Sequence, residues 1–168
     1  ENKRPKLLDP FAGSGTILVE GMLQGLDIVG VDVNPLAVLL CKAKTTIINP
    51  EILKQHTAAI KGKITELKKS QVVNHSFDGI EKWFTEQAIV DLSIIRRAVM
   101  EDSDINIRRF FWATFCEVVR IVSNSRDCTY KLHIKEKSDI DSYRNRRYID
   151  ISCIAYILLS SFNCLVEA

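Results

Sequence analysis

The sequence predicts an α/β fold, a partial Rossmann-like sheet carrying a helical insertion, and three observations predict it. Two short apolar runs, residues 6–9 and 27–32, each reach an aspartate and a turn, as parallel strands of an α/β sheet do. A helical stretch joins them within about 30 residues, the span of one βαβ unit. Roughly 75 residues of helix-patterned sequence then follow before any further strand, far more than an ordinary connection.

The elements follow in order. Leu7 and Leu8 lead a first strand into Asp9, and Gly13-Ser14-Gly15 makes a tight turn into a helix opened by Thr16. That helix runs over 16–24, with Ile17, Val19, Met22 and Leu23 available for the sheet and Gly25 as its stop. Ile28 to Val31 read as the second strand. Pro35 suits a first helical turn, and Leu36, Val38, Leu39, Leu40, Ala43 and Ile47 make a second crossover helix, apolar around much of its circumference. After Asn49-Pro50, Leu53, Ile60, Ile64 and Leu67 recur at helical spacing among lysines. A loop with Gly79 leads to Trp83-Phe84. Thr85 can cap a helix bearing Ile89, Leu92, Ile95 and Val99, and Ser103 or Asp104 another bearing Phe110, Phe111, Phe115, Val118 and Val122. Tyr130 to Ile134 alternate like a strand, 135–147 are polar, and 151–159 are apolar. The chain thus divides into a βαβ unit over 1–49, a helical insertion over 50–126 and a tail of further sheet strands or other structure over 127–168.

Composition bounds the possibilities. With 168 residues and 46% hydrophobic side chains the chain can bury a core of its own, about 70% of its unfolded surface. A net charge of +2, from 23 basic and 21 acidic residues, gives no global field for a polyanion, so any nucleic-acid face is local. The five cysteines, Cys41, Cys116, Cys128, Cys153 and Cys164, are odd in number and form no Cys-x-x-Cys pair, which fits reduced thiols in a cytosolic protein and argues against zinc. His56, His75 and His133 have no partner at metal spacing, so no metal is expected. No apolar run reaches the ~18 residues of a spanning helix; 151–166 is too short and carries four Ser/Asn residues. Without a starting methionine or a signal sequence, the chain reads as an internal piece of a longer cytoplasmic protein.

Residues 8–16, Leu-Asp-Pro-Phe-Ala-Gly-Ser-Gly-Thr, concentrate the chemistry. A strand ends in a carboxylate, and the turn after it presents backbone N–H groups and a helix N-terminus. Residues 30–35, Gly-Val-Asp-Val-Asn-Pro, add Asp32, 19 residues after Gly13, the spacing at which an acid reaches ribose hydroxyls in nucleotide-binding α/β folds. A dinucleotide site expects Gly-x-Gly-x-x-Gly. Gly13 and Gly15 fit, but the third position is Leu18, which disfavours close helix packing on a pyrophosphate.

The pair of motifs resembles the S-adenosylmethionine site of the amino-methylating DNA methyltransferases, the N4-cytosine/N6-adenine type, whose first motif is Asp-Pro-Phe-x-Gly-Ser-Gly. The resemblance implies a Rossmann-like methyltransferase sheet, with a cofactor site at Asp9, Pro10, Phe11, Ala12, Gly13, Ser14, Gly15, Thr16, Asp32, Val33 and Asn34. It implies S-adenosyl-L-methionine as cofactor, double-stranded DNA with a flipped base as partner, no membrane, and a prokaryotic restriction-modification setting. Trp83-Phe84, Arg96-Arg97, Phe110-Phe111 and the run 120–126 look like the helical region of the branch that methylates cytosine N4, so that base is preferred over adenine N6. The same first motif extended to Thr16-Ile17-Leu18-x-Glu20 also looks like that of RNA guanine-N2 methyltransferases, which is the runner-up.

One part of the family's machinery has no match. The Ser/Asn/Asp-Pro-Pro-Tyr tetrapeptide accepts hydrogens from the target amine, and this sequence contains no Pro-Pro. Asn34-Pro35-Leu36 follows the ribose acid directly and lacks the aromatic ring, so it is rejected as catalytic and no catalytic residue is identified. Either the chain stops before the tetrapeptide or the tail has diverged through it, and a catalytically inactive cofactor-binding fragment is a third alternative. Arg120, Ser123, Asn124 and Arg126 are candidates for phosphate contact. So are Lys131, Lys135, Lys137, Arg144, Arg146 and Arg147, although a solvated face explains both groups better. For the five clustered aromatics a core role outweighs base stacking.

Overall fold

The computed structural model describes residues 4–70, 74–125, 133–136 and 140. The described elements run β1 (Lys6–Asp9), α1 (Thr16–Leu23), β2 (Asp27–Gly30), α2 (Pro35–Thr45), α3 (Pro50–Lys69), α4 (Ile80–Trp83), α5 (Glu86–Met100) and α6 (Ile105–Val122). β1 and β2 pair in parallel, Leu7 beside Ile28, Leu8 beside Val29 and Asp9 beside Gly30. The result is a mixed α/β arrangement, a small two-stranded parallel sheet followed by helices.

α1 lies on the sheet face that carries Leu7 and Ile28, and glycine makes the approach possible. A Cβ on Gly21 would stand 2.8 Å from Ile28 Cγ2 and 3.0 Å from Leu7 Cδ2. A Cβ on Gly30 would stand 2.5 Å from Leu18 Cδ1. These two close approaches select the buried side of the helix. Of Ile17, Val19, Met22 and Leu23, expected on the sheet, Ile17 and Leu23 are instead exposed, and the buried positions are Leu18 and Gly21. On the opposite sheet face Leu8, Val29 and Val31 are exposed.

Capping sets where the helices begin. Asn34 and Asn49 accept from the N–H groups of Leu36 (2.9 Å) and Glu51 (2.8 Å), each with proline at the next position, whose missing N–H would have been unpaired anyway. Thr85 accepts from Ala88, and Asp104, not Ser103, accepts from Asn106 and Ile107.

The main core lies among the helices. Leu53, Ile60 and Ile64 of α3 meet Ile94, Ile95, Ala98 and Val99 of α5 and Ile107, Phe110, Phe111 and Val118 of α6. α6 also packs on α2, which joins the helices to the βαβ unit. His56 on α3 holds Asp102 across the α5–α6 turn at 2.7 Å, and Asp102 accepts in turn from the Asp104 N–H. Beyond α6, Ser125 makes an isolated antiparallel bridge to Ile134. Apart from His133 and Ile134, the strand expected over Tyr130 to Ile134 lies outside the described residues, as do the apolar run 151–159, Cys128, Cys153 and Cys164. No helix among the described residues is long and apolar enough to cross a membrane.

Candidate functional site

The site is two loops at the carboxyl ends of the two strands, tied together edge to edge. The Val31 N–H donates to the Asp9 carbonyl (2.9 Å) and the Ala12 N–H to the Val31 carbonyl (3.0 Å), which continues the sheet pairing into the turns. Asp32 completes the tie with its side chain. One carboxylate oxygen accepts from the Gly13 N–H and the other from the Asn34 N–H, both at 2.8 Å. Those N–H groups of Asn34 and Gly13 hold the Asp32 carboxyl below the usual carboxylate range, so it is ionised at neutral pH. Asp9, buried at the end of β1, accepts from the Phe11 N–H at 3.1 Å and shapes the start of the turn.

The turn itself depends on positive φ. Gly13 and Gly15 stand at φ 51° and 79°, where a side chain would be strained. Gly15 also faces α2 closely, since a Cβ there would lie 3.0 Å from Cys41 Sγ and 3.2 Å from Cys41 Cα. Gly15 caps α1 without a side-chain bond. Ser14 and Thr16 hydroxyls lie 3.3 Å apart at its mouth. Cys41 is buried and points its thiol at the Gly13 carbonyl (3.5 Å); burial and the nearby Asp32 charge push that thiol's pKa up, which keeps it protonated. A cavity of about 220 Å³ behind the turn is lined by Ala12, Leu18, Gly30, Asp32 and Cys41 among others. In front, Phe11 is 86% and Val33 100% exposed, two apolar side chains left in water beside an ionised carboxylate.

Residues 2–89, just over half of the chain, match the family model UPF0020, described as an RMKL-like methyltransferase domain. The chain belongs to this methyltransferase family. The Type II methyltransferase M.MvaI of Kocuria varians is 39% identical over 138 residues, covering 76% of this chain and 30% of that protein. The chain therefore spans less than a third of the length of the curated relative it matches. No solved structure matches it.

In this methyltransferase domain the eleven residues singled out in sequence, Asp9 to Thr16 and Asp32 to Asn34, come together at one end of the sheet through the bonds just described. Gly21, Gly30 and Cys41 support them and were missed by sequence reasoning. The signal for Gly21 and Gly30 was their lack of a side chain at positions where a strand and a helix face must be in contact. For Cys41, 28 residues from Gly13, sequence offered none.

Other singled-out residues lie elsewhere. Arg120 pairs with Glu117 at 2.6 Å. Ser123 bonds Ser125 (2.6 Å), and the Asn124 N–H donates to the Trp83 carbonyl (2.7 Å), so these residues knot the end of α6 to the end of α4. Arg126 and, apart from Lys135, the basic stretch from Lys131 to Arg147 lie outside the described residues. The aromatics divide: Phe110 and Phe111 are core, whereas Trp112 and Phe115 border a second cavity.

Proposed function

We propose that the protein transfers a methyl group from S-adenosyl-L-methionine to an exocyclic amine of a DNA base, cytosine N4 in preference to adenine N6. The observation that carries the reading is the Asp32 tie, an ionised carboxylate at the second strand end that joins both loops and has capacity to spare. Its two oxygens accept from the Gly13 and Asn34 N–H groups, and a carboxylate has about four acceptor sites, which leaves capacity for a ribose diol. The likeness to a relative named as a Type II methyltransferase supports DNA as the substrate.

The chain's residues fit the cofactor. Asp9, Pro10 and Phe11 shape the turn, and the exposed Phe11 and Val33 faces offer apolar cover for an adenosine. Gly13, Ser14, Gly15 and Thr16 present backbone at the helix α1 N-terminus, favourable to a carboxylate. Asp32, with Val33 and Asn34 beside it, takes the ribose. When bound, S-adenosylmethionine supplies a methyl group on a cationic sulfonium. These residues bind and orient it, and none of them is assigned to the amine's hydrogens. The division into a βαβ unit over 1–49, a helical insertion over 50–126 and a tail belongs to the same reading, as does a cytoplasmic, restriction-modification setting.

Methyl transfer from labelled S-adenosylmethionine, followed by nucleoside analysis of the product, tests the proposal. Label in N4-methylcytosine is expected. The extended motif through Glu20 favours a second reading, RNA guanine-N2 methylation, and label found in N2-methylguanine of RNA and not in DNA would replace the first.

A further inference from the structure

α4, α5 and α6, with His75, Phe77 and Phe84 from the adjoining loops, border a second, half-open cavity of about 200 Å³. Four aromatic rings border it, Phe77, Phe84, Trp112 and Phe115, the last two set edge to face at 5.3 Å. Phe77 is 47% exposed, an aromatic wall left open to solvent. The Ser93 hydroxyl in the lining is already committed, accepting from the His75 N–H (2.9 Å) and donating to the Ile89 carbonyl (2.6 Å). Arg97 pairs with Glu101, Arg109 donates to Asn106 and Arg120 pairs with Glu117, whereas the half-buried Arg96 and Arg108 have no side-chain ion pair or hydrogen bond among the described residues, and of these two only Arg96 lines the cavity. A partly desolvated guanidinium beside an apolar cavity calls for an anionic partner.

Size, shape and charge together define an occupant. The volume is below the ~300 Å³ at which sites for drug-sized ligands begin, so it holds one ring system and no more. Ring walls favour a flat π-system, and stacking on them is tolerant of which base is present. The cation selects a ring that carries a negative charge on a short tether. A nucleotide has both. We propose that this cavity binds one unstacked nucleobase, held between the aromatic walls, with its phosphate on Arg96. The proposal rests on the nucleic-acid substrate put forward above and adds a second place where that substrate is gripped, away from the Asp32 loops.

A duplex containing a single bulged 2-aminopurine, a fluorescent base quenched by stacking, tests this against the same duplex fully paired. The wild-type protein should bind the bulged duplex more tightly and quench its fluorescence. Phe77→Ala and Arg96→Gln should each weaken that binding by about tenfold, the loss of one stacking or phosphate contact. Phe77→Trp should retain it, and all three variants should keep the wild-type melting temperature and S-adenosylmethionine binding. Unchanged affinity in Phe77→Ala and Arg96→Gln would overturn the proposal, and so would equal losses on bulged and paired duplexes. Methylation of DNA with unaffected bulge binding in the variants would remove only the cavity assignment. Bulge binding by a protein that methylates no DNA would remove only the functional reading.

Discussion

The βαβ unit and the helices after it are built on opposite principles. Among the described residues, the helical core unites eleven buried side chains from α3, α5 and α6, whereas the cluster behind the glycine turn has three, Ala12, Leu18 and Cys41. Most of the exposed large hydrophobic residues belong to the first region, including Leu8, Phe11, Val29, Val31 and Val33. What holds that region's loops is polar: strand-end backbone bonds and the bidentate Asp32. Packing at native density stabilises by area and tolerates no holes, while a polar tie fixes geometry at small net gain. Stability and site are thus separated in this molecule, and the site is the less buried of the two.

The largest effect should come from the packed region. Phe111 is 1% exposed at the centre of the helical core, so Phe111→Ala should cost about 3–5 kcal/mol of stability in urea unfolding. A smaller loss should follow in the βαβ unit from Gly30→Ala, about 1–3 kcal/mol, because the new Cβ lands on Leu18 and Ala12. Adding Leu18→Ala to it should recover part of the loss, a coupling that a double-mutant cycle reads directly. If Gly30→Ala proved as damaging as Phe111→Ala, the contrast between the two regions would fail.

Two aspartates sharpen the comparison at the level of single atoms. Asp104 caps α6 through one oxygen only, accepting from both Asn106 and Ile107, whereas Asp32 uses both of its oxygens. An asparagine has one acceptor oxygen and is as good a helix cap as aspartate. Asp104→Asn should therefore leave the melting temperature nearly unchanged, while Asp32→Asn loosens the turn and weakens cofactor binding by about tenfold. Both carboxyls have folded pKa values below their unfolded ones, from the N–H groups of Asn34 and Gly13 in one case and of Ile107 and Asn106 in the other. Their contribution is complete above the unfolded value near 3.8 and is lost as pH falls through the lower folded value. Melting temperature should accordingly hold from neutrality to about pH 5 and fall on further acidification, less steeply in Asp104→Asn. Thr85→Ala should cost about 1 kcal/mol from the lost cap of α5, more than Asp104→Asn and less than either core change.

Local chemistry was legible in the sequence, and contact across the sheet was not. The strands, the Asn-Pro helix starts, Thr85 and Gly79 all announce themselves within a few residues, because caps and turns are decided locally. Asp32 was singled out from its place after the second strand, its spacing from Gly13 and the motif it shares with a known family, but its bonds to Gly13 and Asn34 show only in the fold. The face of α1 was misread because hydrophobicity favoured Ile17 and Leu23, while the close approach at Gly21 and Gly30 put Leu18 inside. Nor does sequence separate Phe110 and Phe111, which fill the core, from Trp112 and Phe115, which border a cavity. Adjacent positions on one helix differ there only in which neighbour they face.

Calorimetric titration of S-adenosylmethionine into the protein, wild type beside Asp32→Ala, tests the central claim that the tied loops form the methyl-donor site. The wild type should bind with one site per chain, and Asp32→Ala should bind at least tenfold more weakly at an unchanged melting temperature of the helical region. A wild-type protein that takes up no S-adenosylmethionine, or an Asp32→Ala variant that binds it as well as the wild type, would contradict the account.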